Sequence, residues 1–372
     1  MPSAMNKTAL FTHELCSFTP QMSTSQDKSA AKQYKNTQML LTKKFLFPLL
    51  GLSLLLASSI WAQTRSLKTE ELQGDIRQVH DPTVIKEGDT FYLFSTRAGI
   101  AIRCSQDLIR WRLCGDVFAH LPAWAVKDVP GLRGIWAPDI SYFNGKYHLY
   151  YSVSTFGSNR SSIGLVTNVT LDPTNERYKW EDQGKIVSSH NTDDWNAIDP
   201  NIVLDEVGEP WLSFGSFWSG IKMQKIDLAT GRLSQKDTKL YSLASRPRSP
   251  QLPGAIEAPV IIRRSGYYYL FVSFDFCCRG VESTYNVRVG RARAVTGPYV
   301  DREGKSMMDE GGSLVLKGGK RWRGPGHCAI LQDKDGERLV YHAYDAEARG
   351  VSTLRIVQLT WDVDGWPSVK EQ

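Results

Sequence analysis

Three acidic residues stand at similar places in this chain. Asp81 and Asp199 each precede a proline and an apolar run, in His80-Asp81-Pro82-Thr83-Val84-Ile85 and Asp199-Pro200-Asn201-Ile202-Val203. Glu257 does the same in Ala255-Ile256-Glu257-Ala258-Pro259-Val260-Ile261-Ile262. A glycine turn follows each run, at Gly88, Gly208 or Gly266, and then a second apolar and aromatic run. That pattern reads as a hairpin with a carboxylate at its mouth. Carboxylates crowded together repel, which drives at least one towards its protonated form. One ionised and one protonated carboxyl is the pair that general acid–base cleavage of a glycosidic bond requires. Asp81 or Asp199 alone reads equally well as an Asp-Pro turn former at a strand start. All three at matching positions of a repeat favour chemistry.

The elements that would position them repeat along the chain. Two further copies of the phrase are Trp136-Ala137-Pro138-Asp139-Ile140, with Gly145, and Gly326-His327-Cys328-Ala329-Ile330, with Gly336. The five copies start roughly 55 to 70 residues apart, which signals a solenoid, propeller or array. Strand-like runs and turn residues within each unit favour an all-β, five-bladed β-propeller, whose innermost strands line a central channel. Trp136 and His327 then hold the related positions in the two blades that lack an acid there. Asp139 follows its proline, out of step with the others, and reads as an acid satisfying backbone donors at a strand end. Trp136, Phe156, Phe217 and Trp218 read as stacking surfaces for sugar rings, and Trp195 rather as core. With no second histidine at ligand spacing and no C-x-x-C, His327 does not suggest zinc. A hard cation held mostly through water suits it better.

Four of the six net positive charges lie in residues 1–62, so the rest is nearly neutral and lacks the basic face that nucleic-acid binding needs. Residues 39–62 carry Lys43-Lys44, an apolar run from Phe45 to Ile60 and Trp61-Ala62, the plan of a secretory signal peptide cleaved near Ala62. The polar residues ahead of it suggest that Met39 is the initiator. The expectation is an exported protein, released or periplasmic, free of the membrane after cleavage, with residues 63–372 forming one monomeric catalytic domain. Export permits a Cys104–Cys114 disulfide and a vicinal Cys277–Cys278 disulfide, and free thiols are the alternative at both places. Cys328 is left odd. No P-loop, G-x-G-x-x-G, H-E-x-x-H or nucleophile elbow occurs, and no amphipathic helix is evident.

Longer phrases resemble a known family. They are Gly134-Ile135-Trp136-Ala137-Pro138-Asp139-Ile140, Tyr151-Ser152-Val153-Ser154-Thr155-Phe156-Gly157-Ser158, Asn196-Ala197-Ile198-Asp199-Pro200-Asn201, Phe214-Gly215-Ser216-Phe217-Trp218-Ser219-Gly220-Ile221, Phe274-Asp275-Phe276-Cys277-Cys278-Arg279-Gly280 and Gly324-Pro325-Gly326-His327. In these the chain is similar to the endo-α-1,5-L-arabinanases of glycoside hydrolase family 43, five-bladed β-propellers, over about residues 75–368. The resemblance implies inverting hydrolysis of arabinan and arabino-oligosaccharides. It implies Asp81 as general base, Glu257 as general acid, and Asp199 as the acid that tunes and holds Glu257. It implies substrate contacts at Trp136, Phe156, Gly157, Asn196, Ala197, Ile198, Ser216, Phe217 and Trp218. His327 would be the protein ligand of calcium or a similar cation near the acids. Cys328 departs from the small polar residue or Asn of relatives. An exo-acting arabinanase or α-L-arabinofuranosidase, and a non-catalytic sugar-binding propeller, are the competing readings.

Overall fold

In a computed structural model the chain is described over residues 72–249 and 253–370. The leader, Met39 and Cys16 lie outside the described residues. Among these residues five sheets form, each from one continuous stretch of sequence. Their innermost strands are Thr83–Glu87, Trp136–Phe143, Asn201–Leu204, Ile256–Arg264 and Trp322–Asp333. Each innermost strand touches that of the next sheet, and the fifth touches the first, so the sheets close into a ring of five blades. The all-β, five-bladed β-propeller expected from the repeats is the fold.

Local sequence explains the hairpins. Asn144-Gly145 and Ser265-Gly266 connect the first two strands of blades 2 and 4, with all four residues at φ between 48° and 75°. Two-residue loops of this left-handed kind match the twist of the strands they join. The strands are apolar on both faces because blades pack on both sides. In Tyr267–Phe274, Tyr268, Leu270, Val272 and Phe274 bury against blade 3, while Tyr269 and Phe271 bury against blade 5. This period of two fills one core between each pair of neighbouring blades.

The segment before the first blade closes the ring. Gln73–Gly74 pairs in parallel with Arg110–Trp111 of blade 1, while Arg77 bridges Thr353 and Ile76 O accepts from Leu354 N (2.8 Å) in blade 5. Leu72 buries among side chains of both blades. A helix at Ala123–Asp128 joins blades 1 and 2. Six residues are too few to show helical periodicity, so this helix was not legible beforehand. Cys104 and Cys114, on neighbouring strands, form a disulfide, as do Cys277 and Cys278. Cys328 is a buried free thiol, pushed up to about 12 by burial.

Candidate active site

The five innermost strands share one backbone device at their mouths. Asp81, Ala137, Asp199, Ala258 and His327 have φ of 51°, 42°, 57°, 54° and 45°. Such a conformation costs a non-glycine residue on the order of 1–3 kcal/mol and persists only where its surroundings impose it. A side chain of the preceding blade supplies the constraint by accepting the N–H of each left-handed residue. Thr96 Oγ1 accepts from Ala137 (2.8 Å), Ser152 Oγ from Asp199 (2.9 Å) and Asp199 Oδ2 from Ala258 (3.1 Å). Ser273 Oγ accepts from His327 (2.9 Å) and His342 Nδ1 from Asp81 (3.2 Å), which completes the circle.

This device corrects the register read from the sequence. Asp81, Asp199 and His327 are in step with Ala137 and Ala258, and Glu257 stands one residue earlier, level with Trp136. The strand pairing skips between Glu257 and Val260 and between Trp136 and Asp139. Such a bulge re-aims the side chain ahead of it. The carboxylate of Glu257 therefore reaches the same space from a different backbone position.

That space is a cavity of ≈ 690 Å³ at the strand mouths. It brings together Asp81, Asp199, Glu257, His327, Trp136, Phe156, Gly157, Asn196, Ile198, Ser216, Phe217 and Trp218. Ala197 is not among its walls. Its side chain is fully buried between blades 2 and 3, and its N–H donates to Ser189 Oγ (2.8 Å). The residues on either side of it face the cavity, so Ala197 turns away from it. Trp195 packs edge-on against Phe214, as core. Asp139 accepts from Ile202 N (2.8 Å) and Asn201 Nδ2 (3.2 Å), the structural part expected of it.

The three acids live in different electrostatic surroundings. Burial alone would raise Asp81, but His80 Nδ1 at 2.7 Å and His327 Nδ1 at 3.2 Å outweigh it and hold the carboxyl far below the usual range. The Thr96 hydroxyl donates to its other oxygen. Glu257 is raised by burial, against donors that favour its ionised form, Tyr285 Oη on Oε1 and Ser216 Oγ on Oε2 (2.7 Å). Asp199 is raised well above the carboxylate range by burial, then by the charges of Glu257 and Asp81. The site thus holds one ionised carboxylate beside two carboxyls that resist ionisation.

The walls suit a sugar chain. Phe156 is 79% exposed and its ring lies 5.2 Å from that of Trp136. Asn196 Oδ1 is buried without a partner among the described residues, an acceptor left for a hydroxyl. Sequence reasoning missed His80, Thr96, Tyr285 and His342. The matching ends of the second strands, in Tyr151-Ser152, Val272-Ser273 and Tyr341-His342, were the available signal.

His80, Asp81 and His342 bring one ligand atom each within 4.8 Å of one another, a buried group that could hold a metal ion. A neutral imidazole has one lone pair. That of His342 accepts Asp81 N–H, and His80 Nε2 meets Tyr344 Oη at 2.7 Å. His327 differs. Its Nδ1 faces the carboxylate and burial lowers its pKa, so the neutral ring keeps a lone pair on Nε2 that suits a cation.

The sequence model of Glycosyl hydrolases family 43 matches residues 76–367. The chain is 44% identical over 322 residues to the extracellular exo-α-(1→5)-L-arabinofuranosidase ArbA of Cellvibrio japonicus, covering 84% of this chain and 92% of that one. It is 45% identical over 296 residues to the extracellular endo-α-(1→5)-L-arabinanase 1 of Bacillus subtilis, covering 78% and 87%. The solved α-L-arabinanase of Cellvibrio cellulosa, complexed with arabinohexaose, superposes with a TM-score of 0.75 at 44% identity, over 78% of this chain and 95% of that one.

Proposed function

The chain belongs to Glycosyl hydrolases family 43, and from that premise we propose that it is an α-1,5-L-arabinanase that cuts inside arabinan and arabino-oligosaccharides with inversion. The observation that carries this reading is the contrast among the three acids: Asp81 surrounded by donors, Glu257 and Asp199 pushed up by burial. In an inverting pair one carboxylate activates water and the other protonates the leaving oxygen. Asp81 is the base and Glu257 the acid. Asp199 accepts the N–H of Ala258, next to Glu257, and so orients the acid as well as tuning it. Trp136 and Phe156 stack sugar rings, and Asn196, Phe217 and Trp218 hold the chain. A calcium or similar cation held by His327 and water would supply positive charge beside the acids.

Aromatic walls come from three successive blades, at Trp136 and Phe156, Phe217 and Trp218, and Phe276, which supports a cleft that accepts an internal stretch of chain. Exo action is the second reading, favoured by the likeness to ArbA. Export with cleavage near Ala62, and residues 63–372 as one catalytic domain, complete the proposal. The extracellular relatives support it.

The test is a time course of products from linear arabinan. Early mixed oligosaccharides with rapid loss of viscosity support endo action. A single short product from the start means exo action. No product, with or without added calcium, means a sugar-binding propeller. Asp81→Ala and Glu257→Ala should each lower kcat by about 10²–10⁴-fold with an unchanged circular dichroism spectrum. Parent-like turnover in either variant would overturn its assigned role.

A further inference from the structure

A hydrogen-bond chain runs from the rim of the cavity to Asp81. Cys278 N–H donates to Tyr344 Oη (2.8 Å), Tyr344 Oη meets His80 Nε2 (2.7 Å), and His80 Nδ1 meets Asp81 Oδ1 (2.7 Å). An ionised carboxylate only accepts, so His80 Nδ1 donates to Asp81 Oδ1, and the Tyr344 hydroxyl holds Nε2 of the same ring. Bonds linked in such a series strengthen one another. The His80 ring also stacks on His342 at 3.8 Å, and His342 accepts the N–H of Asp81 itself. The side chain and the backbone of Asp81 are thus fixed by two rings packed face to face. His80 and Tyr344 act through Asp81, as positioning residues.

The chain begins on an unusual group. Cys277 and Cys278 are adjacent and joined by a disulfide, which encloses the peptide bond between them in a small ring. Cys278 sits at φ 65°, a conformation that a non-glycine residue keeps only when its surroundings fix it. The ring supplies that constraint and directs the Cys278 N–H at Tyr344. Both cysteines line the cavity and Cys278 is exposed, so a small thiol can reach the sulfurs.

We propose that the Cys277–Cys278 disulfide is a redox-sensitive positioning element for the base. Oxidised, it holds the Tyr344–His80 chain on Asp81. Reduced, it releases Cys278 from that conformation, the chain loses its first link, and turnover falls. This rests on the reading of Asp81 as the base. The reductant is a dithiol. One of its thiolates attacks a cysteine sulfur and the S–S bond breaks to a mixed disulfide and one cysteine thiol. Its second thiol then displaces the other cysteine, leaving two cysteine thiols and the oxidised dithiol. A low-molecular-weight disulfide reverses the reaction by the same exchange.

The experiment compares the full chain before and after dithiothreitol, on linear arabinan, with newly exposed thiols counted by alkylation and intact mass. A Cys104→Ser/Cys114→Ser background removes the disulfide of blade 1. Reduction should lower kcat about tenfold, as expected when a catalytic group is slightly misplaced, with KM unchanged. Oxidised glutathione should restore it. Tyr344→Phe should start with lowered kcat and lose its sensitivity to reduction, because the link is already gone. Unchanged kcat with both thiols alkylated would overturn the proposal. So would a rise in KM alone, which would make the disulfide a plain wall of the cleft, or an equal fall in Tyr344→Phe. Should the double serine background fail to fold, the comparison of parent with Tyr344→Phe still decides, since opening the blade 1 disulfide would affect both alike. Failure of the base reading shows separately, as parent-like turnover of Asp81→Ala.

Discussion

The three acids differ less in their own chemistry than in what surrounds each carboxyl. Asp81 stays ionised well into acid because His80, His327 and Thr96 all point protons at it. Glu257 keeps its proton above the ordinary glutamate range because it is buried. Activity should therefore fall as pH rises through the raised value of Glu257, where the acid loses its proton. The Tyr285 hydroxyl favours the ionised form, so Tyr285→Phe should raise Glu257 further and move the alkaline limb of the kcat/KM profile to higher pH. A limb that stays put or moves down would show that Tyr285 does not tune the acid. Phe156, bare at the rim, should matter for holding substrate. Phe156→Ala should raise KM roughly three- to tenfold and leave kcat nearly unchanged, the mark of lost uniform binding. The acids and Trp136 were legible because each stands in a repeated phrase, and Phe156, Phe217 and Trp218 because they stand in aromatic runs rich in small polar residues. Tyr285 and His342 were not, because their importance comes from partners 28 and 261 residues away.

The innermost strands are stapled to one another near the axis. Asp139 of blade 2 accepts from Asn201 and Ile202 of blade 3, and Asn201 Oδ1 accepts from Ile261 N of blade 4 (2.8 Å). Asn201→Ala would leave the Ile261 N–H unsatisfied in a buried place, at a cost of about 1–3 kcal/mol, seen as a lower Tm. Burial, only partly offset by the donors of Ile202, Asn201 and Thr83, pushes Asp139 up to about 7. An acid with a raised folded-state pKa contributes stability that is full below its unfolded value of 3.8 and lost as pH climbs to about 7. Asp139→Asn should flatten the change of Tm between pH 4 and pH 8, and an unaltered slope would show that Asp139 is ionised throughout. The hairpins were legible at this scale because Asn-Gly and Ser-Gly dictate their turns. The one-residue offset of Glu257 was not, because apolar runs tolerate a bulge without changing their pattern.

Across the whole molecule, five repeats specified five blades, since a sheet apolar on both faces needs a neighbour on both sides. The Cys104–Cys114 bridge is not legible in the sequence, because two neighbouring strands can carry thiols or a disulfide equally well. It closes a short loop, and by chain-entropy reasoning Cys104→Ser/Cys114→Ser should cost about 2–3 kcal/mol and lower Tm with little effect on kcat. What the repeats did not disclose is the seam. Each blade is whole in itself, so the ring is laced shut by residues 72–77 and not by a strand exchanged between its ends. A laced ring can spring open and leave every blade intact. Asp81 and His327 stand on opposite banks of that seam, so the proposed base would sense the first gap before any sheet had melted.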